Sequence, residues 1–210
     1  MGRVQRRARK ALPLLLAVPP PSPPLTPGLR RRQYVPTQGD LVVAQVHRST
    51  ADHHYASLSP HTAHALLPVL AFESATKKTR PVLAPGALVY ARVALCDRHM
   101  DAELECVSPA TGKADGLGPL VGGTLVAVSP GFARRLLMPA GGSGVAVLEE
   151  LEAAGLAFET AVGRNGRVWV NSESTRAVIV VCRALRETDE RGLDAGAQRK
   201  LVRRLVRESG

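Results

Sequence analysis

Between positions 38 and 108 the chain runs through short stretches in which apolar and polar residues alternate. "QGDLVVAQV" (38–46) and "PGALVYARV" (85–93) share one frame, a Gly-containing turn followed by a Val-rich strand whose period of two turns one side toward a core. Runs at 53–59 ("HHYASLS"), 67–73 ("LPVLAFE") and 101–108 ("DAELECVS") predict further strands, separated by the loop 74–81 ("SATKKTRP") and a turn at 97–100. Several short strands with no convincing helix between them predict a small all-β barrel of OB-like type.

After the Gly-containing stretch 112–123 the pattern changes. "GTLVAVS" (123–129) predicts a strand, and Ser129 is placed to cap a helix that starts at Pro130, with Phe132 and Leu136 one turn apart. A second helix covers 145–155 and ends at Gly155. Strands follow at 156–163 and 167–171, then a helix over 173–187 that buries Ala177, Val178, Val181, Cys182 and Leu185. The order strand, two helices, two strands, helix predicts an α+β domain of KH type. A last helix from about 194 to 208 gathers Leu201, Val202 and Leu205 on one face. The expected organisation is a tail (1–33), an OB-like all-β barrel (34–110) and a KH-type domain with a C-terminal helix (111–208).

Charge changes this picture only locally. The formal net charge is +10, but positions 1–33 hold eight of the 28 basic residues and no acidic one, leaving 20 basic against 18 acidic residues beyond them. Any basic surface on the folded part is therefore a patch. Eight of the 16 prolines precede residue 37, so the tail is expected to be disordered or polyproline-like. Its apolar run "ALPLLLAV" contains Pro13 and leads into "PPPSPP" without a small-x-small cleavage site, against export or import. No apolar run approaches the ~20 residues of a membrane span. Cys96, Cys106 and Cys182 are too few for a disulfide framework and point to a reducing compartment. Cys96-x-x-His99 is half a zinc site with no second pair at ligand spacing, so no metal is expected, and His53-His54 reads as exposed polar surface.

"VGRNGRVWVN" (162–171) poses the functional question. Gly-x-x-Gly beside arginines is the form of the KH phosphate clamp, but that clamp joins two helices, where helix N-terminal amides and bare glycine backbone meet a phosphate. Gly163–Gly166 lies between two strands. Asn165-Gly166 predicts a type I′ hairpin turn, with Arg164 opposite Arg167 and Val162 opposite Trp169. The inter-helix position holds Gly141-Gly142-Ser143-Gly144, which lacks a basic residue, and phosphate contact there stays open. The best basic cluster of the barrel is the loop residues Lys77, Lys78 and Arg80, with Arg92 and Arg98 as weaker additions. An RNA path and an unliganded, solvated loop are both compatible with it. The same two readings hold for Arg199, Lys200, Arg203, Arg204 and Arg207 on the last helix. Phe72, Phe132 and Trp169 are assigned to cores. Asp101, Glu103 and Glu105 alternate along one strand and fit a solvated edge better than a two-metal site. Gly116-x-Gly118-x-x-x-Gly122 has the wrong spacing for a dinucleotide fingerprint. No cofactor and no small-molecule substrate is expected.

"YVPTQGDLVVAQV", "AFESATKKTRP", "GLGPLVGGTLVAVSPGFARRLL", "VGRNGRVWVNS" and the end "AQRKLVRRLVRES" together resemble the S1- and KH-domain cap subunits of the eukaryotic RNA exosome, over roughly 34–208. The resemblance implies that Gly163, Asn165 and Gly166 form the family's Gly-x-Asn-Gly motif, which shapes the contact between the S1 and KH domains, with Trp169 beside it. It implies a non-catalytic role: binding RNA, holding RNase-PH-like ring subunits together alongside other cap subunits, and guiding RNA into 3′-to-5′ processing and decay of ribosomal, small nuclear and messenger RNA. The implied locations are nucleus, nucleolus and cytoplasm. Two departures stand out. The family carries an N-terminal β domain before "YVP", of which "PGLRRR" resembles a fragment, and its loop at 141–144 is usually shorter. A free RNA-binding module left unassembled, or an S1/KH-bearing exoribonuclease, are the alternatives.

Overall fold

The computed structural model describes residues 34–209 except 61, 77, 98 and 139–144. The expected tail (1–33), the loop Gly141–Gly144, Lys77 and Arg98 lie outside the described residues.

Six strands make the first module: β1 (Leu41–Ser49), β2 (His53–Ser57), β3 (His64–Pro68), β4 (Leu88–Leu95), β5 (Glu103–Glu105) and β6 (Gly118–Leu120). β1 pairs antiparallel with both β2 and β4, β2 with β3, and β5 bridges β3 and β4, which closes the barrel. The period-two pattern does what it predicts: Val42, Ala44, Val46, Ala56, Leu58, Leu67, Val89, Val93 and Leu104 fill the interior. Two expectations change. The third strand is not 67–73 but 64–68, since the ladder with β2 runs from Ser57↔His64 to His53↔Pro68 and then turns through Ala71 N–H bonding to Pro68 O (3.0 Å). Phe72 joins the barrel sheet by an isolated bridge to Cys106, and its side chain is buried in the barrel core. β6, within the Gly-containing stretch 112–123 where no strand was expected, adds to β4.

The second module contains β7 (Thr124–Ala127), α1 (Pro130–Leu136), α2 (Val147–Ala153), β8 (Glu159–Gly163), β9 (Arg167–Asn171), α3 (Thr175–Arg191) and α4 (Ala195–Ser209). Its antiparallel sheet has the order β7-β9-β8. Ser129 caps α1 by accepting from Phe132 N (3.2 Å), and Asp189 near the end of α3 accepts from both Ser129 N (2.6 Å) and Ser129 Oγ (2.5 Å). α3 continues beyond the expected 187 until Gly192, whose φ of 58° supplies the left-handed stop. α4 seats Leu201, Val202 and Leu205 in the core shared with Phe132, Leu151, Val168, Val181 and Leu185.

The run Val168-Trp169-Val170 is apolar on both faces of β9, and the layers explain why. Val168 and Val170 face the helices, whereas Trp169, with Ala161, packs against Val43 of the barrel, bordered by Leu88, Tyr90, Leu120 and Leu125. A central strand covered on both sides has no need of alternation. The KH sheet is thus sandwiched between its own helices and the barrel.

Candidate nucleic-acid interface

The β8–β9 corner is a hairpin, but not the predicted one. Its register is Gly163↔Arg167, Val162↔Val168 and Ala161↔Trp169, one residue away from the type I′ pairing. That turn requires positive φ at Asn165 as well as Gly166, and only Gly166 has it (76°). Gly166 N–H bonds to Gly163 O (3.0 Å), leaving a three-residue loop closed by a left-handed glycine.

The reason for the shift lies across the module boundary. Asn165 is buried, and its Nδ2 donates to Val43 O (2.9 Å) and Leu58 O (2.8 Å) while its Oδ1 accepts from Val43 N (3.3 Å). Arg164 N–H bonds to Leu41 O (2.8 Å), and its guanidinium meets the buried Asp40 carboxylate at 2.6 Å. Tyr34 OH donates to the other oxygen of Asp40 (2.9 Å). Arg167 reaches Ser57 O (2.7 Å), and its burial lowers the guanidinium pKa. The two arginines therefore diverge to separate barrel acceptors instead of facing each other. A Cβ on Gly163 would stand 2.5 Å from Val43 N of the barrel, and one on Gly166 2.5 Å from Val128 O of the KH module itself, so neither position has room for a side chain. Trp169 Nε1 donates to Gly122 O (2.9 Å), and Tyr90 OH, raised in pKa by burial, donates to Val162 O (3.1 Å). The corner is packed into the barrel, and its polar groups already have protein partners there.

The cations are placed differently. Thr79 Oγ1 organises the basic loop, meeting Thr76 Oγ1 (2.8 Å), accepting from Thr76 N (3.0 Å) and donating to Ser74 O (3.2 Å). Lys78 is exposed on it, and Arg80, also exposed, anchors one guanidinium nitrogen on Ala51 O (2.6 Å) at the β1–β2 turn. Arg92 stands apart: it is half-buried and ion-paired with Glu105, so its charge is matched within the barrel wall. The sequence reading missed Arg48, whose guanidinium lies 4.0 Å above the Tyr55 ring centroid. These two are register partners across β1 and β2, beyond a bulge between Val46 and Arg48 that alternation alone does not reveal. His54 is not exposed polar surface. It is buried against Phe72, with Nδ1 2.7 Å from Ser49 Oγ. Cys96 Sγ donates to Pro36 O (3.3 Å). The loop cations Lys78 and Arg80, and Arg48 stacked on Tyr55, supply positive charge and an aromatic ring, the two ingredients of sequence-tolerant single-strand binding.

Comparison with known proteins fits this arrangement. A family model of the S1 domain of exosome complex component RRP40 matches residues 34–118, and a KH-domain model matches 123–176. The Saccharomyces cerevisiae exosome complex component RRP40 is 33% identical over 177 residues, covering 84% of this chain and 72% of that protein. The chain belongs to the RRP40 family. Schizosaccharomyces pombe exosome complex component rrp40 is 41% identical over 162 residues, covering 76% of this chain. The human RRP40 is 29% identical over 184 residues, covering 86% of it. The chain spans 65% of the length of the S. pombe relative and 62% of the human one. A crystal structure described as that of an exosome complex RNA-binding protein superposes with a TM-score of 0.64 at 22% identity, over 83% of this chain and 96% of that one, a likeness of fold.

Proposed function

We propose that this chain is a non-catalytic, RNA-contacting cap component of an exosome-type assembly, with RNase-PH-like ring subunits and other cap subunits as its protein partners. The observation that carries the reading is membership of the RRP40 family with both modules present and locked together at the Asn165 corner. A rigid pair of modules holds an RNA path in fixed register, and the chain's contribution is positioning and charge. Lys78 and Arg80, on a loop stiffened by Thr76 and Thr79, attract the backbone, and Tyr55 with Arg48 above it offers a stacking face. Arg92 is left out because Glu105 neutralises it. The same reading places the chain in nucleus, nucleolus and cytoplasm.

Purification of the tagged chain from cells tests the assembly. Ring subunits recovered in stoichiometric amount are the expected result, and a lone species of 22.3 kDa would overturn it. Within the recovered complex, Lys78→Glu with Arg80→Glu should weaken crosslinking to RNA.

A further inference from the structure

α4 carries a basic stripe that the barrel site does not use. Gln198, Leu201, Val202 and Leu205 are its buried side, seated on α2 and α3. At 3.6 residues per turn, Lys200, Arg203 and Arg207 project on the opposite side, and all three are exposed. The neighbouring cations are matched: Arg199 with Glu150 (2.7 Å), and Arg204 with Glu187 (2.9 Å) and Glu208 (3.6 Å). Lys200, Arg203 and Arg207 make no ion pair among the described residues. Three unmatched charges therefore line one helix face, with rises of about 4.5 Å and about 6 Å between them.

Two kinds of anionic partner fit such a stripe, a nucleic-acid backbone or an acidic protein. A stable protein interface needs apolar or aromatic anchors in the middle of its charged rim. None of the exposed large hydrophobic residues lies on α4. What remains is charge on long, flexible arms, which suits phosphates read without regard to sequence. The stripe is also on the helical side of the KH sheet, whose other face packs on the barrel, so it is a separate surface from Lys78 and Arg80.

We propose that Lys200, Arg203 and Arg207 form a second, sequence-independent contact for the phosphates of single-stranded RNA. This rests on the RNA-contacting role proposed above. The test is binding of a fluorescent oligouridylate to the full 210-residue chain, titrated over a range of salt. Each phosphate that a cation no longer neutralises on a single strand lowers the slope of log K against log salt by about 0.7, so K200Q/R203Q/R207Q should lower it by about 2. The charge-conserving K200R/R203K/R207K should keep the wild-type slope, and thermal melting of both variants should match wild type because the face is open to solvent. A wild-type slope in the Gln variant, while K78Q/R80Q still lowers it, would overturn the second contact and leave the barrel site standing. Loss of polyglutamate binding with unchanged oligouridylate binding would overturn it in favour of an acidic protein. Absence of salt-dependent RNA binding by the wild-type chain would overturn the RNA-contacting role itself.

Discussion

Asn165 is bonded to Val43 through both ends of its side-chain amide. The Nδ2 donates to Val43 O at 2.9 Å and the Oδ1 accepts from Val43 N at 3.3 Å, as a paired backbone residue would. β2 leaves β1 after the Gln45↔Ser57 pair, and the amide takes the place on β1 where the ladder would have continued. Arg164 N–H on Leu41 O extends the same edge by one more step. The KH corner thus acts as a short surrogate strand for the barrel, which ties the motif to the edge it covers.

Asn165→Ala should strand three buried backbone groups: Val43 N–H, Val43 O and Leu58 O. Each such group costs about 1–3 kcal/mol, so a destabilisation of at least about 3 kcal/mol is expected. Asn165→Asp should be no milder, since a carboxylate cannot donate to the two carbonyls. Trp169 is the chain's single tryptophan and sits at the junction, so urea unfolding followed by its fluorescence reports on the junction directly. A midpoint equal to wild type in Asn165→Ala would remove the corner as the lock between modules.

RNA affinity should separate the cations by whether they are already paired. K78Q/R80Q should reduce the salt slope by about 0.7 for each phosphate left without its cation. Arg92→Gln should leave the slope where it is, because Glu105 matches that charge in the free protein. Equal effects of the two variants would mean that Glu105 gives Arg92 up on binding. Tyr55→Leu adds a separate reading: a stacked base is worth about 1–3 kcal/mol, and removing it should not change the slope.

Much of the fold is legible along the chain because periodicity reports burial. β1, β4 and the helix capped at Ser129 lie near their expected places, and the order of the KH elements follows from the change in period. What escaped depends on tertiary geometry. Asn-Gly is a strong local signal for a two-residue turn, yet here the barrel edge draws the Asn165 amide away and leaves positive φ only at Gly166. β6 consists of Gly118-Pro119-Leu120, residues that read locally as a break, and becomes a strand because β4 has an edge to be paired. Of the candidate site, the basic loop is legible along the chain and its cross-strand neighbours are not. Lys78 and Arg80 follow from a basic loop, but the pairing of Arg92 with Glu105 and of Arg48 with Tyr55 are cross-strand relations that one strand's sequence does not encode.

His54 should make stability fall on the acid side of neutrality. Burial lowers its pKa, and Arg80 lowers it further. Ser49 Oγ donates to Leu83 O (2.9 Å), which makes Nδ1 of His54 the donor toward Ser49 and leaves Nε2 buried without a partner. Protonation would put a charge on that unpartnered nitrogen. Above the ordinary histidine value of 6.5, both folded and unfolded chains hold a neutral imidazole. As pH falls below it, the unfolded chain takes up a proton that the folded chain refuses until its own lower pKa is reached. The urea midpoint should therefore decline from pH 7.5 to pH 5.5, and His54→Leu should flatten that decline. A His54→Leu profile parallel to wild type would assign the pH dependence elsewhere.

Asp40 joins three parts of the chain at one buried carboxylate: Tyr34 before the barrel, Asp40 at the start of β1, and Arg164 at the KH corner. Only the arginine is substantially exposed, 37% against 4% for Asp40, so water screens part of the ion pair and its net worth is modest. The larger effect is what a broken pair leaves behind. Arg164→Met strands a buried carboxylate held by Tyr34 OH alone, whereas Asp40→Asn removes the charge and keeps one acceptor oxygen, enough for Tyr34 OH once Arg164 is gone. Arg164→Met alone should lower stability by roughly 1–3 kcal/mol, and adding Asp40→Asn should recover part of that deficit. The coupling in the double-mutant cycle should exceed about 0.5 kcal/mol in urea unfolding. Additive effects would mean that the carboxylate stabilises the barrel alone, and that Asn165 by itself fixes the KH module on β1.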